Sequence, residues 1–98
     1  MAYGLVNIAS ATTTTLIAKN NAAGSIRSIN IANCSASNTV TVTLFLDDDT
    51  TQTSYIENVV IPTGTTLFLD NNIAFDNSVL SLKLTTVGTS PDVNVIIK

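Results

Sequence analysis

The stretch from Asn38 to Leu46 reads Asn-Thr-Val-Thr-Val-Thr-Leu-Phe-Leu, and apolar side chains occupy every second position. On an extended strand, the following side chains share one face: Val40, Val42, Leu44 and Leu46. The side chains between them share the other face: Thr41, Thr43 and Phe45. A period of two over β-branched residues predicts a β-strand with one buried face.

Most of the remaining chain has the same character. Further apolar runs fall at residues 5–8, 16–18, 26–32, 55–61, 66–69, 79–86 and 93–97, with clusters of Asn, Asp, Ser, Gly or Pro between them. Strands spaced by about ten residues are typical of sandwiches and barrels. We therefore predict an all-β protein: a single antiparallel β-sandwich, immunoglobulin-like or jelly-roll-like, with about seven or eight strands. The 98 residues are expected to form one domain, residues 1–98.

Three segments are apolar on both faces of a strand, at residues 44–46, 59–61 and 67–69. Such a strand lies deep in the sandwich, or a partner covers its outer face. The sequence leaves both explanations open.

Charged residues make up only 11% of the chain, about half of the usual share of roughly 25%. A surface with so few charges favours a protein packed against others, although an ordinary Thr-rich sandwich has the same composition. The net charge is −3, and the four basic residues are scattered: Lys19, Arg27, Lys83 and Lys98. We expect no direct contact with nucleic acid, which requires clustered Lys and Arg. The sequence also predicts no membrane span and no signal peptide, and thus synthesis in a cytoplasm.

Little in the sequence suggests catalysis. There is no histidine, and the four glycines are dispersed rather than gathered into a phosphate-binding loop. The seven carboxylates fall mainly in predicted turns, whereas general acid–base catalysis requires two carboxyl groups in unlike environments within a cleft. We predict that the protein is not an enzyme and needs no cofactor. Cys34 is the only cysteine and is expected to be a half-buried residue at a strand end rather than a reactive thiol.

Two acidic clusters are weak candidates for calcium. The first contains Asp47 and Asp49, and the second contains Asp70 and Asp76. Calcium prefers six to eight oxygens on a folded-back loop, and neither cluster has the required alternation. Asp and Asn are also good turn residues, because their side chains bond to the local backbone. The turn explanation is favoured, and no metal site is predicted.

The order of the strands resembles a known family. The segments concerned are Gly24-Ser-Ile-Arg-Ser-Ile-Asn-Ile-Ala-Asn33, Val40-Thr-Val-Thr-Leu44, Val60-Ile-Pro-Thr-Gly-Thr-Thr-Leu-Phe-Leu-Asp70 and Val79-Leu-Ser-Leu-Lys-Leu84. Over residues 12–97 this pattern resembles the small β-sandwich structural proteins of tailed bacteriophages. The Asn- and Thr-rich composition is similar to that of marine cyanophage virion proteins. Asp76-Asn77-Ser78 stands where members of the family often have an acidic Gly-Asp turn.

The resemblance implies a non-enzymatic virion protein, made in the bacterial host cytoplasm, whose partners are the major capsid protein or other virion proteins. The function we expect is a capsid decoration or cement protein that binds and stabilises the capsid exterior, with self-association in a symmetric assembly. The first alternative is a neck or tail adaptor or another tail-associated protein. A more distant alternative is a receptor- or glycan-binding module of a tail fibre, although the chain has no Trp and only two Tyr to stack on sugars.

Three segments are predicted to contact partners: an N-terminal arm at residues 1–10, a loop at 33–38 and a hairpin tip at 47–53. The contact residues expected in them are Tyr3, Leu5, Val6, Ile8, Asn33, Asn38, Asp48 and Thr51. The alternative for the first segment is that residues 5–8 form the first strand of the domain.

Overall fold

The computed structural model describes residues 4–20, 25–70, 73–74 and 78–97, and every paired strand in these ranges is antiparallel. The strands there are β1 Gly4–Ile8, β2 Thr13–Ile17, β3 Ser25–Ile26, β4 Ile29–Asn33, β5 Val40–Asp47, β6 Gln52–Ile61, β7 Thr66–Leu69, β8 Ile73–Ala74, β9 Ser81–Val87 and β10 Val93–Ile97. The prediction of an all-β sandwich is confirmed. No helix that could span a membrane occurs in the described ranges.

Eight of these strands form two four-stranded sheets. Sheet A has the order β1-β10-β4-β7, and sheet B has the order β2-β9-β5-β6. The two-residue strands β3 and β8 pair separately. Along these eight strands, the chain passes from one sheet to the other at every connection except the β5–β6 hairpin. This order is that of a jelly roll, which resolves the alternative between an immunoglobulin-like and a jelly-roll-like sandwich.

The core lies between the two sheets and is built by the alternation visible in the sequence. In β10, for example, Val93, Val95 and Ile97 are buried while Asn94 and Ile96 are exposed. One cluster of buried side chains joins both sheets: Ile8, Ile17, Ile29, Ile31, Val40, Val42, Leu44, Ile61, Leu82, Leu84, Val93, Val95 and Ile97. Each such side chain stabilises the fold by roughly 1.5–3 kcal/mol relative to leaving it exposed.

The three doubly apolar segments behave differently from one another. Phe45 points away from the core cluster, opposite Lys83 of β9, and yet is only 5% exposed, so the chain itself covers it. Val60 on β6 and Phe68 on β7 are each 57% exposed. The segment at residues 44–46 therefore lies deep in the sandwich. The segments at residues 59–61 and 67–69 instead expose apolar side chains on the surface.

The edges of the two sheets also differ. In sheet B, both edge strands are irregular: the register of β2 shifts between Thr15 and Ile17, and that of β5–β6 shifts twice. Asn58 lies in the irregular part of β6 with a left-handed φ of 53°. In sheet A, the edge strands β1 and β7 pair with constant register and contain no charged residue. Bulges protect an edge from pairing with another chain, so only sheet B has this protection.

The N-terminal segment is part of the domain from Gly4 onward. Strand β1 pairs with β10 over five residues, from Gly4 opposite Ile97 to Ile8 opposite Val93. The alternative that residues 5–8 form the first strand of the domain is therefore confirmed. The arm prediction is wrong for residues 4–8, because main-chain pairing and the burial of Ile8 fix them in sheet A. Residues 1–3, including Tyr3, lie outside the described residues.

Candidate functional site

The outer face of sheet A is the surface that we single out, because its four strands align their outward side chains into two rows. Strand register places Leu5 opposite Ile96, Ile96 opposite Asn30, and Asn30 opposite Phe68. The second row runs beside the first and contains Asn7, Asn94, Ala32 and Thr66. We call these eight side chains the sheet A face.

Large apolar side chains stand exposed on the sheet A face. Leu5 is 83% exposed on one edge strand, and Phe68 is 57% exposed on the other. Ile96, in the interior strand β10, is 36% exposed. Three large apolar side chains on one sheet face, with only Asn30 between them, are the kind of exposed surface that marks a protein–protein contact.

None of the eight side chains of the sheet A face is charged. Its polar groups are three amides and one hydroxyl, from Asn7, Asn30, Asn94 and Thr66. The outer face of sheet B is different, since Asp47 of β5 and Lys83 of β9 form an ion pair there at 2.9 Å. The two outer faces of the sandwich therefore have distinct chemistry.

A chain of hydrogen bonds links the amides near one end of the face. Asn7 Nδ2 donates to Asn94 Oδ1 at 2.8 Å and to Asp92 Oδ1 at 3.0 Å. Asn94 Nδ2 in turn donates to Cys34 Sγ at 3.3 Å. Cys34 is exposed, which corrects the expectation of a half-buried residue: its backbone bond to Asp92 holds it just beyond β4 at the sheet margin.

Asn30 sits inside the apolar row, between Ile96 and Phe68. Its Oδ1 atom is buried and has no hydrogen-bond partner within the described part of the chain. A buried acceptor without a donor costs about 1–3 kcal/mol. An apolar side chain at this position would avoid that cost, so the stability of the isolated chain does not account for the amide.

The acidic tip between β5 and β6 is a tightly bonded turn. Asp47 accepts hydrogen bonds from Lys83 Nζ at 2.9 Å and from the Asp49 amide at 2.9 Å. Asp48 Oδ1 accepts from the amides of Thr50 and Thr51, and Asp49 pairs with Lys19 Nζ at 2.6 Å. Asp49 takes a left-handed φ of 73°, which Asp tolerates in turns.

These contacts shift the ionisation of the tip. The hydrogen bond from Lys83, followed by that from the Asp49 amide, holds the pKa of Asp47 below its ordinary value. The amides of Thr51 and Thr50 lower the pKa of Asp48, and the hydrogen bond to Asp49 raises that of Lys19. All three shifts favour the charged forms, so near neutral pH the tip is a set of ionised groups already supplied with partners.

In two of the weak metal candidates, Asp47 and Asp49, carboxylate oxygens thus already accept hydrogen bonds from two lysines and one backbone amide. Asp70 is exposed just after β7, and Asp76 lies outside the described residues. In the part of the chain that the structure describes, no group of three or more acidic or cysteine side chains could hold a metal ion. The arrangement at the tip stabilises a turn.

Two of the predicted contact residues are buried and cannot touch a partner. Ile8 is 3% exposed in the core, and Asn33 is 2% exposed at the end of β4. The contact prediction for these two side chains is wrong. Ile8 packs in the core cluster, and the Asn33 amide donates hydrogen bonds to the backbone carbonyls of Asn38 and Ile61. Val6 is half-buried and packs against the core.

The other predicted contact residues in described ranges retain accessible side chains. Leu5, Asp48 and Thr51 are exposed, and Asn38 is half-buried. Asn38 lines a shallow groove of about 240 Å³ at one end of sheet B, together with Thr39, Thr41, Val87, Gly88 and Thr89. Of these four residues, only Leu5 belongs to the sheet A face.

Sequence reasoning missed Asn30, Ile96 and Phe68 as candidate contact residues. The doubly apolar pattern around Phe68 was the one usable signal. The face gathers residues from four separate strands, β1, β4, β7 and β10, and their adjacency follows from the sheet order alone.

The chain matches no family model, no curated protein and no solved structure.

Proposed function

We propose that this chain is a non-enzymatic structural protein of a tailed-phage virion, which binds the capsid exterior and stabilises it as a decoration protein. The observation that carries the proposal is the sheet A face, an uncharged sheet surface that exposes Leu5, Ile96 and Phe68. Such a surface promotes unwanted association of a freely diffusing protein, but it is buried and stabilising when the protein is held in an assembly.

The repetition of contacts in a capsid shell supports this role. Each contact in a symmetric assembly is repeated many times, so a modest contact area suffices for firm attachment. The resemblance of the strand pattern to phage structural proteins points the same way. Jelly rolls also occur in viral capsid domains, although this is support by analogy of fold. The proposed partners are the major capsid protein and other copies of this chain, and the proposed location is the virion.

The absence of charged side chains from the sheet A face predicts how binding to particles depends on salt. Attachment through ion pairs weakens as salt screens them, with a Debye length near 8 Å at physiological ionic strength. Attachment through the sheet A face depends on apolar contacts and neutral hydrogen bonds instead. Binding to particles is therefore expected to survive high salt.

The decisive experiment is the copy number of this chain in purified particles of the phage that encodes it. Quantitative mass spectrometry with the major capsid protein as internal standard gives this number. Hundreds of copies per particle are expected for a protein that covers the capsid lattice. Six or twelve copies would assign it to the neck or tail, and absence from particles would overturn the structural role.

A further inference from the structure

We propose that the free edge of β7 binds an extended segment of another protein, which pairs with it as an additional antiparallel strand of sheet A. The inference rests on the proposed structural role for the source of that segment, which in a virion is the capsid protein. The contact is main-chain pairing at the edge of the sheet and is distinct from contact through the sheet A face.

Main-chain hydrogen bonds determine which groups of β7 point outward. The amide of Asn33 donates to the carbonyl of Thr65 at 2.9 Å, and these two residues are directly opposite in the β4–β7 register. Bonded and non-bonded pairs alternate along an antiparallel ladder, so every second residue after Thr65 also bonds to β4. The N–H and C=O groups of Thr66 and Phe68 therefore point to the other side, where β7 is the last strand of the sheet.

The neighbouring ladder has the phase that this assignment requires. The amide of Cys34 donates to the carbonyl of Asp92 at 2.7 Å, so the even-numbered residues of β4 bond to β10 and the odd-numbered ones to β7. Within the described ranges, no residue bonds to the outward main-chain groups of Thr66 and Phe68. These four groups form a short, regular template for an extended backbone.

The core side of β7 is incompletely covered. Leu67 and Leu69 lie opposite the buried Ile31 and Ile29 of β4, and yet both leucines are only half-buried. On the opposite edge strand β1, Ile8 is 3% exposed. The sandwich is therefore more open along β7 than beside Ile8. A strand added to β7 would cover the two leucines with its own core-facing side chains.

The β7 edge also has no protection against pairing. Its register with β4 is constant, and the strand contains neither a charged residue nor a proline. In contrast, the edge strand β6 of sheet B has two register shifts, a charged Glu57 and a left-handed Asn58. Edge strands usually carry such features because an exposed edge accepts other strands. Their absence from β7 is consistent with an edge that is used for binding.

Charge distinguishes a foreign strand from a second copy. Residues 52–70 include two carboxylates, Glu57 and Asp70, and no Lys or Arg. Asp70 is exposed directly after β7, and the whole chain has a net charge of −3. A basic segment is therefore attracted to this edge, whereas a second acidic copy is repelled. The segment that fits best alternates apolar residues, which cover Leu67 and Leu69, with polar or basic ones.

Titration of the purified full chain with the blocked pentapeptide Lys-Val-Thr-Val-Lys, followed by NMR, tests the inference. In antiparallel pairing the first Lys lies opposite Asp70, the Thr lies opposite Phe68, and the two Val residues cover the leucines. We expect saturable shifts of the Thr66 and Phe68 amide signals and slower hydrogen exchange at both amides. The dissociation constant should be on the order of a millimolar, because a short free peptide loses much conformational freedom on binding.

Methylated probes test the pairing without any change to the protein. N-methylation of the central Thr removes the donor that faces Phe68 and is expected to weaken binding at least about fivefold. N-methylation of one Val is the matched control, because in this pairing the Val N–H points away from β7. The control probe is expected to bind within about twofold of the parent probe.

Variants of the protein test the same edge from the other side. Phe68→Pro deletes an outward N–H, which a strand edge tolerates, and is expected to weaken binding at least about fivefold. Phe68→Ala keeps the N–H, and Leu5→Pro makes the exchange on the opposite edge strand β1. Both controls are expected to bind the probe like the parent chain. Circular dichroism shows whether each variant is folded; if Phe68→Pro is not, the methylated probes decide.

Three results would overturn the inference: no shift at Thr66 and Phe68 at several millimolar probe, equal binding of the two methylated probes, or equal losses in Phe68→Ala and Phe68→Pro. Protection of the two amides that grows with the concentration of the chain alone would identify a second copy instead of a foreign strand. The copy number in particles is independent of these results. Hundreds of copies without probe binding would refute the edge site and leave the decoration role standing, and probe binding by a chain absent from particles would do the reverse.

Discussion

The side-chain amide of Asn33 donates a hydrogen bond to the backbone carbonyl of Ile61, with 2.9 Å between Nδ2 and O. Asn33 ends strand β4 of sheet A, and Ile61 ends strand β6 of sheet B, so this bond joins the two sheets. The same amide donates to the carbonyl of Asn38 at 2.9 Å, and its Oδ1 accepts from the amide of Ser35 at 3.0 Å. One buried side chain thus organises the β4–β5 connection and ties it to β6.

Replacement of Asn33 by Ala is expected to destabilise the protein by about 2–4 kcal/mol. The substitution leaves buried backbone groups without partners, each at a cost of about 1–3 kcal/mol. Urea denaturation measures the free energy of unfolding. Asn94→Ala is the control, since Asn94 is exposed and its loss should cost less than about 1 kcal/mol. If the free energy of unfolding falls equally in the two variants, Asn33 does not hold the β4–β5 connection as its hydrogen bonds indicate.

Val6 and Leu5 are neighbours in β1, and replacement by Asp is expected to destabilise the protein much more at Val6 than at Leu5. Val6 packs against the core, so Val6→Asp should lower the free energy of unfolding by at least about 2 kcal/mol. Leu5 is 83% exposed on the other side of the strand, and Leu5→Asp should cost less than about 1 kcal/mol. Urea denaturation of both variants makes the comparison. A stable Val6→Asp protein would mean that residues 4–8 are not anchored in sheet A.

The Asp47–Lys83 ion pair is expected to make stability depend on pH. Lys83 first, and the Asp49 amide second, lower the pKa of Asp47 in the folded state. The resulting stabilisation is therefore present above the unfolded pKa of about 3.9 and disappears as the pH falls through the lower folded value. Lys83→Met should reduce the melting temperature at pH 7, and the difference from the parent chain should shrink below about pH 4.

Lys19→Met is the control for that experiment. Its partner Asp49 has a side chain that is 63% exposed, whereas the Asp47 side chain is 10% exposed. Solvent screens the Lys19 pair, so its removal should change the melting temperature little at any pH. If the melting temperature of Lys83→Met stays below that of the parent chain by the same amount from pH 7 to about pH 3, lost packing of the lysine side chain, not lost charge, is responsible.

The amide of Asn30 is expected to reduce the stability of the monomer. Asn30→Val removes the buried, unpaired Oδ1 and should raise the free energy of unfolding by about 1 kcal/mol at low micromolar concentration. Asn94→Val makes the same exchange on the same face, but it removes the hydrogen bonds of Asn94 with Asn7 and Cys34, so this control is expected to bring no gain. A gain no larger than in the control would show that Asn30 is satisfied in the monomer.

Calcium is expected to leave the acidic tip unchanged. The oxygens of Asp47 and one oxygen of Asp49 already accept hydrogen bonds from lysines and a backbone amide. The melting temperature should therefore be the same with millimolar calcium and with a chelator. A rise of several degrees with calcium would contradict this, and Asp70→Asn would then test whether the second acidic cluster is the site.

Much of the local structure follows from the sequence. The alternation at Val40, Val42 and Leu44 predicted buried positions that the structure confirms, and so did the alternation of Val93, Val95 and Ile97. Phe45 falls on the outer face as the pattern predicts, yet it is buried there. A periodic pattern reports which side of a strand a residue occupies, but it does not report what covers that side. Asn33 is a similar case, because a turn-forming Asn and a buried Asn look alike in the sequence.

The sequence by itself determined that this chain is all-β and which side chains form its core, because a period of two is a property of each strand alone. Only the tertiary structure decided that β1, β10, β4 and β7 lie side by side, in the order of a jelly roll. The uncharged sheet A face depends on that order. Leu5 and Ile96 are 91 positions apart in the chain and yet are neighbours in the sheet. Pairing between distant strands depends on how all of them share one core, and no local stretch of sequence contains that information.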